Sequence, residues 1–258
     1  MSLPKVALDD TLFVEYFKFK NNKSTDHELI YKLISNLKMP FAQSNLQALR
    51  CINELTESLS IDEVHSIISP ELQTAYISGG LINESLEELS QKTLYKILLT
   101  NDESKNEFPY VNISSPCIEI NYSKYCSPND SRTSLLDHIK ELCSNATKIV
   151  ICDNYLPKHW QRTKNLFVDI LPKNSLNIEY IEVPPYPNYT AYSIKKTEIE
   201  SICSLWVVSE NTTNLYQNRH DRYLRIISDT NTIEIILSSG FDYLWRTNKE
   251  ITCLFREL

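Results

Sequence analysis

The first part of the chain alternates short apolar patterns with polar turns. Thr11–Phe19 reads TLFVEYFKF and roughly alternates polar with apolar and aromatic side chains, which predicts a half-buried strand. From His27 to Leu37 the apolar positions recur at helical spacing, which predicts an amphipathic helix. Further helical patterns cover Ser44–Leu59, Ile61–Ile68 and Leu86–Gln91, whereas Thr93–Leu99 fits a strand or a continuing helix. Together these patterns predict an α-rich N-terminal region that contains some strand.

The second part of the chain alternates helices and strands more cleanly. Lys148–Cys152 (KIVIC) is a short apolar run of the kind found in buried central strands. Helical patterns cover Ser131–Cys143, His159–Leu171 and Thr190–Leu205, the last of which follows a turn at Pro184–Pro187. Strand patterns cover Leu176–Val183, Tyr223–Ile227, Thr232–Leu237 and Ile251–Phe255. This alternation predicts an α/β fold.

Two polar segments could separate these regions. Asn101–Asn106 is polar and charged and is followed by Pro109, and a second stretch rich in Pro, Asn and Ser runs from Cys126 to Ser131. A length of 258 residues is enough for two domains. We therefore expect an α-rich N-terminal domain of unknown role over residues 1–110 and an α/β domain over residues 111–258.

Composition and charge restrict the class of protein. Apolar residues make up 42% and charged residues 23%, which is ordinary usage for a globular protein. The net charge of −7 argues against a surface built for broad attraction to nucleic acid or acidic membranes. Any phosphate-binding site must therefore be local.

The cysteines do not form a disulfide or zinc pattern. They are odd in number and widely spaced, without a C-x-x-C pair: Cys51, Cys117, Cys126, Cys143, Cys152, Cys203 and Cys253. Reduced thiols are expected. The sequence also lacks a P-loop and a dinucleotide-binding fingerprint, so we expect neither a metal nor a cofactor.

Targeting signals are not evident. Met1–Lys5 lacks the positive and then apolar plan of a signal peptide, and the strongest apolar run, Ile202–Val208, is too short to span a bilayer. We therefore expect a cytoplasmic protein without integral membrane association.

The triplet His220-Asp221-Arg222 is the most suggestive chemical feature. In a strand, His220 and Arg222 project to one face and Asp221 to the other. A neutral imidazole can attack phosphorus, and a guanidinium can hold two phosphate oxygens. The structural alternative is that His220 caps a strand and Arg222 pairs with a surface carboxylate.

Asp153 and several aromatic residues are weaker candidates. Asp153 follows the KIVIC strand, where open α/β sheets place functional groups, but an Asp there is equally well a turn or helix-cap residue. A base-stacking groove or ordinary packing could explain the aromatic residues Tyr155, Trp160, Tyr186, Tyr189 and Tyr192.

Several segments together resemble a known superfamily. They read HDRYLRI, EIILSSGFDYLW, EITCLFRE and, further upstream, KIVICDNYL. This half of the chain resembles the phospholipase D-like superfamily, in particular the bacterial HDR-type proteins and the C-terminal domain of MIT-domain proteins. The resemblance implies a mixed sheet with helices on both faces. It also implies that His220 is the nucleophile, that Arg222 binds phosphate in place of the usual Lys, and that Ser238 and Ser239 donate hydroxyl hydrogen bonds.

The motif departs from the superfamily pattern at three points. Arg222 replaces Lys, Ser-Ser-Gly replaces Gly-Ser, and the usual Asp position falls on Ile227. Asp229 is then an imperfect substitute for the acidic residue.

The resemblance implies a metal-independent phosphodiesterase, specifically a nuclease effector of a bacterial phage-defence or mobile-element system. Because the chemistry uses two histidines and the chain has one such motif, a homodimer would pair His220 with its copy. Two alternatives remain. The domain could be an inactive module that binds nucleic acid, acidic lipid or a partner protein, or the chain could be an assembly subunit whose N-terminal helices dock onto a larger complex.

Overall fold

The chain folds into two compact units. A computed structural model describes residues 4–37, 40–68, 84–105, 107–115, 121–153, 155–156, 158–181, 196–211, 215–216 and 219–258. The units are Ser2–Glu119 and Ile120–Leu258, so the division follows residue 119, whereas the sequence predicts it after residue 110. Strand Tyr110–Asn112 pairs with Leu98–Thr100 and therefore belongs to the first unit.

The first unit combines a small parallel sheet with short helices. Its strands, in spatial order, are β1 (Ala7–Leu8), β2 (Leu98–Thr100) and β3 (Tyr110–Asn112). Its described helices are α1 (Asp10–Lys20), α2 (His27–Asn36), α3 (Asn45–Arg50), α4 (Ile52–Thr56), α5 (Ile61–His65) and α6 (Leu86–Gln91). Of the ambiguous stretch Thr93–Leu99, only the last two residues enter a strand.

The prediction of a strand over Thr11–Phe19 is wrong, because α1 covers this segment. Asp9 caps the helix, and its Oδ1 accepts a hydrogen bond of 2.8 Å from the backbone N–H of Leu12. Leu12, Phe13 and Phe17 are buried together, a set that lies on one side of a helix but on both faces of a strand. The Asp9 cap fixes where this helix starts.

Serine caps also explain other helix starts in this unit. Ser60 and Ser85 form capping boxes with Glu63 and Glu88, respectively, and the side chains of each box accept hydrogen bonds from two backbone N–H groups at the helix start. As a result α6 has the predicted bounds. The predicted helix Ser44–Leu59 is instead divided at Cys51, whose ψ of 0° interrupts the α conformation.

The second unit contains a mixed sheet of seven strands in the order β4-β10-β9-β8-β5-β6-β7. Strands β5, β6 and β7 are parallel and the other pairs are antiparallel. The strands are β4 (Asn121–Cys126), β5 (Lys148–Cys152), β6 (Leu176–Tyr180), β7 (Trp206–Glu210), β8 (Arg222–Ile227), β9 (Thr232–Leu237) and β10 (Ile251–Glu257). Such a sheet combined with helices confirms the predicted α/β class.

Helices and short helical turns connect these strands. They are α7 (Thr133–Cys143), α8 (Trp160–Asn165) with a following π-helical turn (Leu166–Ile170), α9 (Lys196–Glu200) and a 3₁₀ turn (Phe241–Leu244). The predicted turn at Pro184–Pro187 and the start of the predicted helix Thr190–Leu205 lie outside the described residues. No helix in the described ranges is long and apolar enough to cross a membrane.

One face of the large sheet carries a row of buried apolar side chains. Residues that pair across strands share a face, and the row Ile151, Leu224, Ile235 and Phe255 is almost fully buried. The imidazole of His138 on α7 stacks on the Phe255 ring, with 4.9 Å between ring centroids. This contact packs α7 against the apolar face.

The opposite face carries a buried charge cluster. Arg225, Glu234 and Arg256 are neighbours across β8, β9 and β10, and Glu234 is 0% exposed. The Glu234 carboxylate accepts hydrogen bonds from Tyr216 Oη (2.6 Å), Arg225 Nη2 (3.1 Å) and Arg256 Nε (2.8 Å). Burial acts to raise the pKa of Glu234, but the hydrogen bonds from Tyr216, Arg256 and Arg225 outweigh burial and hold this pKa below its ordinary value.

The cysteines of the described residues are unbridged. Five of them are buried and Cys203 is partly exposed. Burial raises the pKa of Cys143 to about 12, so this thiol stays protonated and chemically unreactive at neutral pH. Cys117 lies outside the described residues.

Candidate functional site

The candidate site lies at one edge of the seven-stranded sheet. Strand β5 ends at Cys152, and its antiparallel neighbour β8 begins at Arg222. Arg222 also pairs with Leu237, the last residue of β9. Asp153, Arg222 and the loop after β9 are therefore brought to the same edge.

Asp153 is held at the end of β5 by two backbone donors. Its Oδ1 accepts a hydrogen bond of 2.8 Å from the N–H of Tyr155, and its Oδ2 accepts one of 2.9 Å from the N–H of Phe241. Burial raises the pKa of the Asp153 carboxyl, and the two backbone hydrogen bonds and Arg222 partly oppose this effect. Asp153 therefore joins the loop after β9 to the end of β5.

Arg222 packs between Asp153 and an aromatic ring. Its Nε lies 3.7 Å from Asp153 Oδ1, and its Cζ lies 4.9 Å from the centroid of the Tyr155 ring. Its Nη1 donates a hydrogen bond of 2.9 Å to the carbonyl oxygen of His220. The side chain is 13% exposed, so an ion pair and a cation–π contact hold the guanidinium at the surface of the site.

His220 lies before β8 rather than within it. The expectation that His220 and Arg222 share a strand face is therefore wrong, because the strand begins only at Arg222. The His220 side chain is 86% exposed, and its Nδ1 lies 3.7 Å from Asp221 Oδ1. This distance is longer than a hydrogen bond, so Asp221 contributes charge without fixing the ring.

A second buried carboxylate follows Gly240. Asp242 is 1% exposed and belongs to the 3₁₀ turn. In the described part of the chain its Oδ2 receives no hydrogen bond, and it lies 3.6 Å from Nη1 of Arg246. Sequence reasoning missed Asp242 and Arg246, although their spacing of four residues is typical of an ion pair along a helical turn.

Gly240 leaves room for both carboxylates. A Cβ at this position would lie 2.9 Å from Asp242 Oδ1 and 3.4 Å from Asp153 Oδ2. The Gly240 φ of −59° is open to any residue, so space rather than conformation requires glycine here.

Replacing Gly240 with Ala should lower the free energy of unfolding by about 1–3 kcal/mol, because neither buried carboxylate can move aside without losing its contacts. Urea unfolding followed by tryptophan fluorescence would measure the change, since all three tryptophans, at positions 160, 206 and 245, lie in the second unit. Ser239→Ala is the matched control. Equal midpoints for the two variants would contradict the spatial argument.

The serines and Asp229 lie in different places. Ser238 is exposed next to β10, and its Oγ accepts a hydrogen bond of 3.0 Å from the N–H of Thr252. Ser239 is partly exposed and immediately precedes Gly240. Asp229 is exposed in the turn at the far end of β8, about 20 Å from Arg222 at the usual rise per strand residue. The structure therefore places Asp153, and not Asp229, beside Arg222.

The aromatic candidates divide in a similar way. Tyr155 contacts Arg222, whereas Trp160 packs on Phe167 with 5.6 Å between ring centroids. The candidates Tyr186, Tyr189 and Tyr192 lie outside the described residues. Within the described ranges, no group of three or more His, Cys, Asp or Glu side chains is placed to hold a metal ion.

Comparisons with known proteins give distant similarities. No protein-family model and no curated protein matches the sequence. Among solved structures, the crystal structure of yeast tyrosyl-DNA phosphodiesterase is similar over 52% of this chain and 31% of that chain, with 12% sequence identity and a TM-score of 0.28. A mutant of the same yeast enzyme has 11% identity, a TM-score of 0.28 and the same coverage. The chain thus spans about a third of the length of that enzyme.

Proposed function

We propose that the second unit is a metal-independent phosphodiesterase that acts on nucleic acid, with His220 as nucleophile and Arg222 as the phosphate-binding residue. The observation that carries the proposal is the contact between these two residues. Arg222 is anchored from behind by the buried Asp153 and holds the carbonyl of His220 with Nη1. A phosphate bound by the guanidinium would therefore lie near an imidazole that is open to solvent.

The reaction would proceed in two displacements. His220 would attack phosphorus, so that a P–N bond forms while the bond to the leaving oxygen breaks. A water molecule would then attack phosphorus, break the P–N bond and release the imidazole. The leaving oxygen must gain a proton in the first step. In a homodimer, His220 of the second copy would donate that proton in the first step and would accept a proton from the attacking water in the second step.

Other residues would have supporting roles. Ser238 and Ser239, which precede Gly240, would donate hydroxyl hydrogen bonds to the bound phosphate. Asp153 takes the acidic position for which the sequence offers Asp229, since it pairs with Arg222. Cytoplasmic location, a role in phage defence or in a mobile element, and docking of the first unit onto a larger complex stay predictions.

An EDTA-resistant nuclease assay tests the proposal. The full chain should cut single-stranded or double-stranded DNA or RNA in EDTA, and His220→Ala should abolish cutting. The melting temperature of this variant should not change, because the side chain is 86% exposed. His27→Ala, which alters an exposed histidine of the first unit, should cut normally. Full activity in the His220→Ala protein would rule out His220 as the nucleophile.

A second candidate function is phosphodiester binding without turnover. The distance of 3.7 Å between His220 Nδ1 and Asp221 Oδ1 favours it, because catalytic histidines are generally oriented by a hydrogen bond. This function predicts no cutting by the wild-type protein. It also predicts nucleic-acid binding that survives His220→Ala and is weakened in Arg222→Gln.

A further inference from the structure

The surroundings of Arg246 resemble those of Arg222. The Arg246 Cζ lies 5.1 Å from the centroid of the Tyr243 ring, and its Nη1 lies 3.6 Å from Asp242 Oδ2. Arg222 has the corresponding contacts with Tyr155 at 4.9 Å and with Asp153 at 3.7 Å. Each arginine thus combines a buried carboxylate with a tyrosine ring.

The two sets of residues meet at Gly240. Asp242 Oδ1 and Asp153 Oδ2 lie 2.9 Å and 3.4 Å, respectively, from the position of a Gly240 Cβ, so the two oxygens are within about 6 Å of each other. Asp242 also acts to raise the pKa of Asp153, as expected for neighbouring like charges. The two arginine sites are therefore parts of one cluster.

Both guanidiniums keep donors for a ligand. Their distances to the carboxylates, 3.6 Å and 3.7 Å, are those of ion pairs and exceed the usual length of a hydrogen bond. Within the described residues, the Arg246 side chain makes no hydrogen bond to the protein, and it is 28% exposed. A guanidinium has five N–H donors, so its outer edge can bind a phosphate while the carboxylate neutralises its inner edge.

The local charge is less acidic than that of the whole chain. The two buried carboxylates and the two guanidiniums balance, and Lys158, 5.9 Å from the Tyr155 ring, offsets the half-exposed Asp221 beside His220. This local balance contrasts with the net charge of −7 of the whole chain. An anion that approaches this edge therefore meets a region of about zero net charge rather than an acidic surface.

We propose that Arg246 and Tyr243 form a second phosphate subsite, so that the site binds a nucleic-acid strand through two phosphates rather than one. The proposal rests on the proposed function, since Arg222 binds the first phosphate there. Because each guanidinium is tethered to its own buried carboxylate, the pair suits two phosphates of one strand better than a single phosphate. The exposed sides of Tyr155 and Tyr243 would stack on bases.

Binding measurements in the His220→Ala background, which prevents turnover, test the second subsite. The probes are a fluorescent dinucleotide with a single phosphodiester and a fluorescent single strand several nucleotides longer, and fluorescence anisotropy measures both. Arg222→Gln should weaken both probes. Arg246→Gln should lower the affinity for the longer strand about tenfold, because a charge-assisted contact to one phosphate is lost. The affinity for the dinucleotide should not change.

Two controls separate binding from folding and from general charge. Arg246→Lys keeps the charge beside Asp242 but loses the two-pronged contact, so it should retain the melting temperature and still weaken the longer strand. Lys140→Gln removes an exposed charge on α7 and should leave affinity unchanged. The salt dependence of strand binding should fall by about 0.7 in slope for Arg246→Gln, as expected for one lost phosphate contact.

Two outcomes would overturn the second subsite. Arg246→Gln could lower the affinities for both probes equally, or it could leave the affinity for the longer strand unchanged. The nuclease assay reports separately on the proposed function. If Arg246-dependent binding is present but wild-type protein does not cut in EDTA, the second subsite stands and the phosphodiesterase is excluded.

Discussion

Glu234→Ala is expected to lower the free energy of unfolding by about 3–5 kcal/mol, the usual effect of removing one partner of a buried charge cluster. The variant leaves Arg225 and Arg256 without their shared carboxylate and removes the acceptor of the Tyr216 hydroxyl. Because Glu234 is 0% exposed, water cannot replace these contacts without opening the sheet face. Tryptophan fluorescence during urea unfolding would measure the loss in the second unit.

The matched control is Glu210→Ala, which removes an exposed carboxylate from β7 and should change the stability by less than about 0.5 kcal/mol. The free energy of unfolding of Glu234→Gln should lie between those of the two alanine variants, because the amide keeps one acceptor and loses the charge. Similar unfolding midpoints for Glu234→Ala and Glu210→Ala would show that the cluster does not stabilise the fold.

The same cluster predicts a dependence on pH. The pKa of Glu234 is lower in the folded state than its ordinary value of 4.5, so its stabilising contribution is complete above that value and is lost as the pH falls through the folded-state pKa. The stability difference between wild type and Glu234→Gln should therefore narrow in acid. Urea titrations at neutral pH and at a series of pH values below 4.5 would measure this difference. A constant difference would show that Glu234 does not titrate as expected.

Asp153→Ala is expected to have the second large effect, a loss of about 3–5 kcal/mol. It leaves the guanidinium of Arg222 without its carboxylate and removes the acceptors of two backbone N–H groups, those of Tyr155 and Phe241. Since Asp153 joins the loop after β9 to the end of β5, the variant should also displace Arg222 and weaken phosphate binding. Urea unfolding and anisotropy with the labelled strand would measure the two effects.

Asp153→Asn separates the effect of the Asp153 charge from the effect of the size and shape of its side chain. The pKa of Asp153 is raised by burial, so the stability it contributes is complete below its ordinary value of 3.8 and decreases as the pH rises through the folded-state pKa. At neutral pH the amide avoids this cost of burying a charge but loses one acceptor, so we expect a loss of about 1–2 kcal/mol. Asp137→Ala, on the exposed face of α7, is the control. If Asp153→Asn lowered the free energy of unfolding as much as Asp153→Ala does, the inference that burial of the Asp153 charge is costly would be contradicted.

Local sequence patterns predicted the central elements well. The strands β5 and β9 and the helix α6 have their predicted bounds. The two strands are short runs rich in Ile and Val with polar turns, and α6 begins at a serine with a glutamate three residues later. In these segments a few neighbouring residues suffice to predict both the type of element and its bounds, because the apolar run or capping pattern and the flanking polar residues are adjacent in sequence.

Edge strands and the first helix were less predictable. The sequence pattern does not predict β4 (NYSKYC) or β7 (WVVSE), each of which has a neighbouring strand on one side only. Partial exposure permits polar side chains in an edge strand, so the apolar pattern weakens. The segment Thr11–Phe19, predicted as a strand, is a helix in which the adjacent residues Leu12 and Phe13 are both buried.

The sequence by itself determined the α/β class, most of the central elements and the candidacy of His220, Arg222 and Asp153. The tertiary structure decided which of these groups meet. Arg222 and Asp153 are far apart in sequence but adjacent at one sheet edge, because β5 and β8 are antiparallel. Register likewise assembles the Glu234 cluster from three strands. Local patterns carry the preference for helix or strand, whereas strand order and register depend on long-range packing that no short segment encodes.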